Sequence, residues 1–88
     1  MKKVYLVYVL KSEKDGNLYI GCTSNINRRL KMHNKGAVSS TKHRLPLKLI
    51  YFENFNDKYE AFKIEKFYKT ATGKKILKEK IIKKTKNF

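Results

Sequence analysis

The sequence predicts one small α+β domain: a three-stranded, mainly antiparallel sheet flanked by helices, in the order β-β-α-β-α-α. Three observations carry this. The apolar run at residues 4–10 is rich in β-branched and aromatic residues on both of its alternating sets, the pattern of a strand covered on both faces and therefore central in its sheet. Asp15-Gly16 then offers a backbone tolerant of positive φ before strand character resumes at Leu18-Tyr19-Ile20, which makes an antiparallel hairpin. Beyond the hairpin, apolar residues recur at helical spacing on either side of one further strand-like run.

The elements follow in order. The hairpin brings Tyr8 and Tyr19 onto neighbouring strands. Ser24 or Asn25 can cap a first helix over residues 25–35, whose apolar positions Ile26, Leu30 and Ala37 bracket His33, with Gly36 as terminator. A polar stretch and Pro46 lead into a third strand at residues 47–52, with the proline at its entrance, where a missing N–H does least harm. Asp57 caps a second helix with Ala61, Ile64 and Tyr68 on one stripe. Gly73 is expected to break it, and residues 74–84 read as a final basic helix burying Ile76, Leu77 and Ile81. The 88 residues suffice for one core, so 1–88 is read as a single domain.

Twenty-two Lys and Arg against seven Asp and Glu give a formal charge of +15, which repels itself unless a polyanion is nearby. Seven of the basic residues fall after Thr72. Cys22 is the only cysteine, which excludes an internal disulfide and a cysteine-cluster metal site and fits a reducing compartment, so the expected location is cytoplasmic. The longest apolar run is too short to span a bilayer. Lys2 and Lys3 precede it as in an export signal, but no small-residue cleavage site follows. The basic last helix lacks the large aromatic face of an interfacial anchor, so no membrane role is expected. Phosphate-cradling Gly-rich loops, Ser-nucleophile motifs and His/Cys metal clusters are absent.

Four side-chain groups could carry chemistry. Arg29 and His33 are four apart and share a helix face, a fork and an imidazole suited to a phosphate, or simply a solvated basic face. Glu65 lies beside the apolar stripe of the second helix and needs a partner there, either a nearby Lys or Tyr or one divalent cation. Tyr8 and Tyr19 could be a cross-strand aromatic pair that steadies the sheet. His43 and Arg44, in the loop before Pro46, could touch phosphate or face water.

Taken together, Leu6-Val7-Tyr8, Tyr19-Ile20-Gly21 and Asn25-Ile26-Asn27-Arg28-Arg29-Leu30-Lys31-Met32-His33 resemble the motifs of the GIY-YIG nuclease domain. Val7-Tyr8-Val9-Leu10, the Arg44-x-Pro46 loop, and Glu60-Ala61 followed by Glu65-Lys66 further resemble its small stand-alone bacterial members, which are uncharacterised. The resemblance implies a metal-dependent endonuclease that hydrolyses phosphodiester bonds, with Tyr19 at the attacking water and Tyr8 beside it. Gly21 would let the backbone approach the substrate, Arg29 would neutralise the pentavalent phosphate, and His33 would assist proton transfer. Glu65 would hold one Mg²⁺ or Mn²⁺. The expected substrate is DNA ahead of RNA, as a structured, flapped or damaged duplex of the kind met in DNA repair. Arg28, Lys31, Lys42, Arg44, Lys74, Lys75 and Lys78 are the candidate backbone contacts. No separate targeting domain is visible in the sequence, so specificity is expected to come from this domain or from a protein partner. The alternative is a non-catalytic nucleic-acid-binding module that keeps the fold and the basic surface.

Overall fold

A computed structural model describes residues 3–86. Strands β1 (Tyr5–Ser12) and β2 (Leu18–Thr23), helix α1 (Ile26–Asn34), strand β3 (Leu47–Phe55) and helices α2 (Lys58–Tyr68) and α3 (Ala71–Lys86) follow one another along the chain. The sheet is ordered β2-β1-β3 with both pairings antiparallel. The predicted order and the central place of the first strand are both realised. Val7, Tyr8, Val9 and Leu10 are all buried, because each face of β1 is covered.

The two faces hold different cores. Val7 and Val9 pack with Ile20, Ala61, Tyr68 and Leu77 under α2 and α3. Tyr8 and Leu10 pack with Leu47, Tyr19, Ile26 and Leu30 under α1. Strict alternation along β1 produces this division, so Tyr8 and Tyr19 share the α1 face.

Local signals set most of the boundaries. Gly16 turns the hairpin at φ +75°, and Asp15 accepts from the Asn17 N–H at 2.8 Å. The Asn25 side chain accepts from Arg28 N–H at 3.1 Å, which settles the choice of cap for α1. At the far end of α1, Asn34 grips the Leu47 backbone, accepting its N–H at 3.0 Å and donating to its carbonyl at 3.3 Å. That clamp fastens α1 to the entrance of β3, just after a cis Leu45-Pro46 bond. Asp57 caps α2 through Tyr59 N–H at 3.1 Å.

On the opposite face a carboxylate that the sequence does not single out joins three elements. Glu53 on β3 accepts from the Tyr51 hydroxyl at 2.6 Å and from Tyr68 of α2 at 2.7 Å, while Lys80 of α3 stands 3.4 Å away. Lys80 also donates to Tyr68 at 2.7 Å. Burial and the Glu53 carboxylate push the Tyr51 phenol well up, so it remains a hydrogen-bond donor at neutral pH. A half-buried charge is thus satisfied by three donors.

Gly73 does not break a helix, contrary to the sequence expectation. The break falls at Lys69–Thr70, where the Thr70 hydroxyl accepts Gly73 N–H at 3.0 Å and so starts α3. Gly73 lies inside the first turn of α3 because a Cβ there would overlap the Phe67 carbonyl oxygen and crowd the Tyr68 Cα. Its function is close approach of two helices. The basic last helix therefore begins three residues earlier than expected, and of Ile76, Leu77 and Ile81 only Leu77 is fully buried.

This makes Gly73→Ala diagnostic. Helix propensity alone would stabilise the variant by about 1 kcal/mol, whereas overlap with a fixed backbone carbonyl must separate α2 from α3. A net loss of stability in urea denaturation is expected, and the sign of the change is the measurement.

Candidate active site

The register places Tyr8 opposite Gly21 and Leu10 opposite Tyr19. The two tyrosines are thus diagonal neighbours rather than a direct cross-strand pair, with ring centroids 6.3 Å apart. The Tyr8 ring leans over Gly21, where a Cβ would overlap the phenol oxygen. Gly21 accordingly makes room first for Tyr8, a role distinct from the substrate approach that the resemblance implies.

Once across Gly21, the Tyr8 hydroxyl meets two side chains of α1. Arg29 Nε donates to it at 3.4 Å, and His33 Nε2 lies 3.1 Å away. Arg29 can only donate. The Tyr8 oxygen therefore accepts from Arg29 and turns its own proton toward His33, so Nε2 is the unprotonated nitrogen. Nδ1 then carries the proton and donates to Thr41 at 2.8 Å, and the Thr41 hydroxyl passes on to the Val38 carbonyl at 3.4 Å. One polarity runs through the chain from Arg29 to the 38–41 loop. The pKa directions agree with it: burial pushes the Tyr8 phenol up, and burial together with the Arg29 charge holds His33 below its ordinary value. Both groups stay neutral near pH 7. Thr41 was invisible as a site residue in the sequence, since it lies in a loop eight positions after His33.

Tyr8 and His33 are both 0% exposed. Of the two readings of the Arg29/His33 face, the solvated one therefore does not describe His33. Arg29 and Tyr19 are half-exposed instead. With Nε bonded to Tyr8, the two terminal nitrogens of Arg29 have no hydrogen-bond partner among the described residues. The Tyr19 ring packs edge-on against His33, centroids 5.1 Å apart, and its hydroxyl likewise has no partner among those residues.

Glu65 lies in the other helix layer, on α2. Its charge acts on Tyr8, on Arg29 and on Cys22 of the edge strand β2. The carboxylate is paired with Lys69 at 3.0 Å, one turn along α2, in a bridge whose lysine is half exposed. Such a bridge contributes little and yields readily. No cluster of three or more His, Cys, Asp or Glu side chains exists among the described residues. The donor set therefore fits one hard cation held by one carboxylate and otherwise by water, and not a multi-carboxylate cage.

The remaining basic candidates divide into groups. Arg28 and Lys31 lie with Asn25, Asn27 and Lys35 around a shallow recess on the exposed side of α1. Lys42 is an exposed residue of the loop that carries Thr41. Arg44, Lys74 and Lys78 rim a groove of about 560 Å³ with a floor that includes Ile20, Ile50 and Leu77, on the sheet face opposite the tyrosines. Lys75 is exposed on α3.

The GIY-YIG catalytic domain model matches residues 4–87. A UPF0213 protein of Streptococcus agalactiae is 46% identical over 67 residues, 75% of each chain. One of Bacillus licheniformis is 48% identical over 68 residues, covering 76% of this chain and 69% of its own. The solution NMR structure of a UPF0213 protein from Bacillus halodurans superposes with a TM-score of 0.55 at 32% identity, over 86% of this chain and 83% of that one. The motif tyrosines, the motif glycine and the α1 Arg/His pair thus sit in a fold that such relatives share, and the chain belongs to the GIY-YIG catalytic domain family.

Proposed function

We propose that the protein is a metal-dependent endonuclease that hydrolyses phosphodiester bonds, with DNA as its substrate. The observation that supports this most is that Arg29 is bonded through Nε to a buried Tyr8–His33–Thr41 chain, which leaves its two terminal nitrogens without a partner among the described residues. A guanidinium held in one orientation suits the charge that develops on a phosphate under attack. Tyr8 and His33 act through Arg29, as positioning residues. Tyr19 supplies a phenol oxygen that accepts a hydrogen bond from the attacking water and orients it, while the water's proton leaves to solvent.

Glu65 would hold one Mg²⁺ or Mn²⁺, which supplies Lewis-acid stabilisation of charge on the departing oxygen. Lys69 would release the carboxylate to it. Arg28 and Lys31 on α1 would hold the substrate backbone alongside Arg29. The described part of the chain contains no helix long and apolar enough to cross a membrane.

Incubation with labelled duplex, flap, fork and single-stranded DNA and RNA, with Mg²⁺ or Mn²⁺ and with chelator, tests the reading. Cleavage of at least one DNA substrate, abolished by chelator and by Glu65→Gln at unchanged binding, is expected. Glu65→Gln cutting at the wild-type rate would remove the metal assignment. Binding without cleavage under every metal condition would leave the non-catalytic alternative.

The two tyrosines should separate by measurement. Tyr19→Phe is expected to cost activity of about 100-fold or more while leaving the melting temperature close to wild type. Tyr8→Phe leaves His33 Nε2 without its partner in a buried setting and Arg29 Nε without its partner at the rim, so it should also destabilise the fold by about 1–3 kcal/mol. Equal melting temperatures for the two would contradict the buried chain.

His33 gives a pH signature. Its folded pKa lies below the ordinary 6.5, so the unfolded chain takes up the proton first as pH falls. The stability this group contributes is present above about pH 6.5 and is lost as pH drops from there toward the folded value, at up to about 1.4 kcal/mol per pH unit. The melting temperature of wild type should fall more steeply over that window than that of His33→Gln.

A further inference from the structure

α2 carries a strip of exposed residues that the proposed chemistry does not use. Tyr59 is 73% exposed and Phe62 is 42% exposed, and they stand three apart with Lys63 and Lys66 completing the same outward face. Six large apolar residues are exposed in the described chain, and three of them, Tyr59, Phe62 and Phe67, are aromatics of this one eleven-residue helix. A single surface aromatic is unremarkable. Two on adjoining positions among lysines form a particular kind of surface, since π faces take nucleobases and ammonium groups take the phosphates between them.

The strip borders the candidate site. Lys58, Phe62, Glu65 and Lys69 succeed one another along one side of α2 at spacings of four, three and four. Lys58 stands loosely over the Phe62 ring, 5.7 Å from its centroid, and Lys69 holds Glu65. The charges of both Lys58 and Glu65 are felt at Cys22 on the β2 edge. Phe62 is thus one helical turn from the Glu65 carboxylate, on the same side of α2. A fully stacked duplex offers no base face to such a ring, whereas an unpaired nucleotide does.

We infer that Phe62, aided by Tyr59, is a stacking platform for an unpaired nucleobase adjoining the scissile phosphate, so that the protein selects substrates with a single-stranded or extruded nucleotide beside the cut. The adjacency to the cut rests on the nuclease reading. The stacking itself does not. Lys58, Lys63 and Lys66 bind the flanking phosphates, and the ring supplies preference for exposed bases without reading their identity.

The test uses the full chain, in chelator, with an oligonucleotide that carries 2-aminopurine at one unpaired position, and a matched full duplex as reference. Quenching of the unpaired probe on binding is expected, together with weaker binding of the single strand by about 10-fold in Phe62→Ala. Phe62→Trp should retain affinity, and Phe62→Leu should not, although it is apolar. Duplex binding should change little. The slope of log K against log salt should also be unchanged, because no charge is removed. Melting curves verify the fold of each variant. Equal single-strand affinity in Phe62→Ala, or full affinity in Phe62→Leu, would overturn the platform. So would a concentration-dependent dimer in sedimentation that Phe62→Ala abolishes, with no probe quenching, because the strip would then be a contact between copies. Phe62-dependent quenching without cleavage in any metal would leave the platform standing while the hydrolytic reading fell. Cleavage with identical rates on flapped and paired substrates in wild type and Phe62→Ala would do the reverse.

Discussion

The hydrogen bond between the Tyr8 hydroxyl and His33 Nε2 is the constraint on which the site depends. It joins the central strand to α1 across a neighbour in β2 that has no side chain, and it is made out of contact with water. In such a place an unmade bond costs the full desolvation of two polar groups, so the helix can dock in only one rotation. That rotation brings Arg29, one turn earlier, to the same hydroxyl. The strand, the glycine and the helix thus give the guanidinium its direction, and the half-exposed Tyr19 packs edge-on against the imidazole they hold.

Much of the fold was legible because its signals are local. Alternation at Val7, Tyr8, Val9 and Leu10 marked a doubly covered strand, and Asp15-Gly16, Asn25 and Asp57 marked a turn and two caps, as the backbone around them bears out. The reading failed at Gly73 because a glycine in a helical register has two meanings: it can end a helix, or it can let another backbone come close. Only the position of the Phe67 carbonyl decides between them. No sequence period carries that contact, since it depends on how α3 folds back after Thr70.

The site was legible in membership and less so in exposure. Spacing placed Arg29 and His33 on one face at the edge of the buried stripe, but could not tell which of the two lies inside and which at the rim. Thr41 and Glu53 were missed for a common reason. Each matters through partners distant in sequence or in another element, Thr41 through His33 and Glu53 through Tyr68 and Lys80. A polar residue in a loop or on an edge strand carries no periodic signature of such a role. The basic residues are spread over more than one face, because composition counts charge without direction, and Lys74 and Lys78 border a groove on the sheet face opposite the tyrosines.

The small number of acids bears on how the charge is spent. Asp15 closes the hairpin, Asp57 caps α2, and Glu53 is taken by two phenols and a lysine. Of the seven acidic residues, Glu65 is the one whose charge is felt by Tyr8 and by Arg29. A carboxylate in a strongly cationic protein, held by an exposed lysine, lowers local repulsion very little. On the nuclease reading proposed above, Glu65 would serve as a ligand, because a cation there would sit between the carboxylate and an incoming phosphate in surroundings that otherwise repel it. On that reading the surplus of lysines would bring the polyanion, and Glu65 would bring the counter-ion that a reacting phosphate needs.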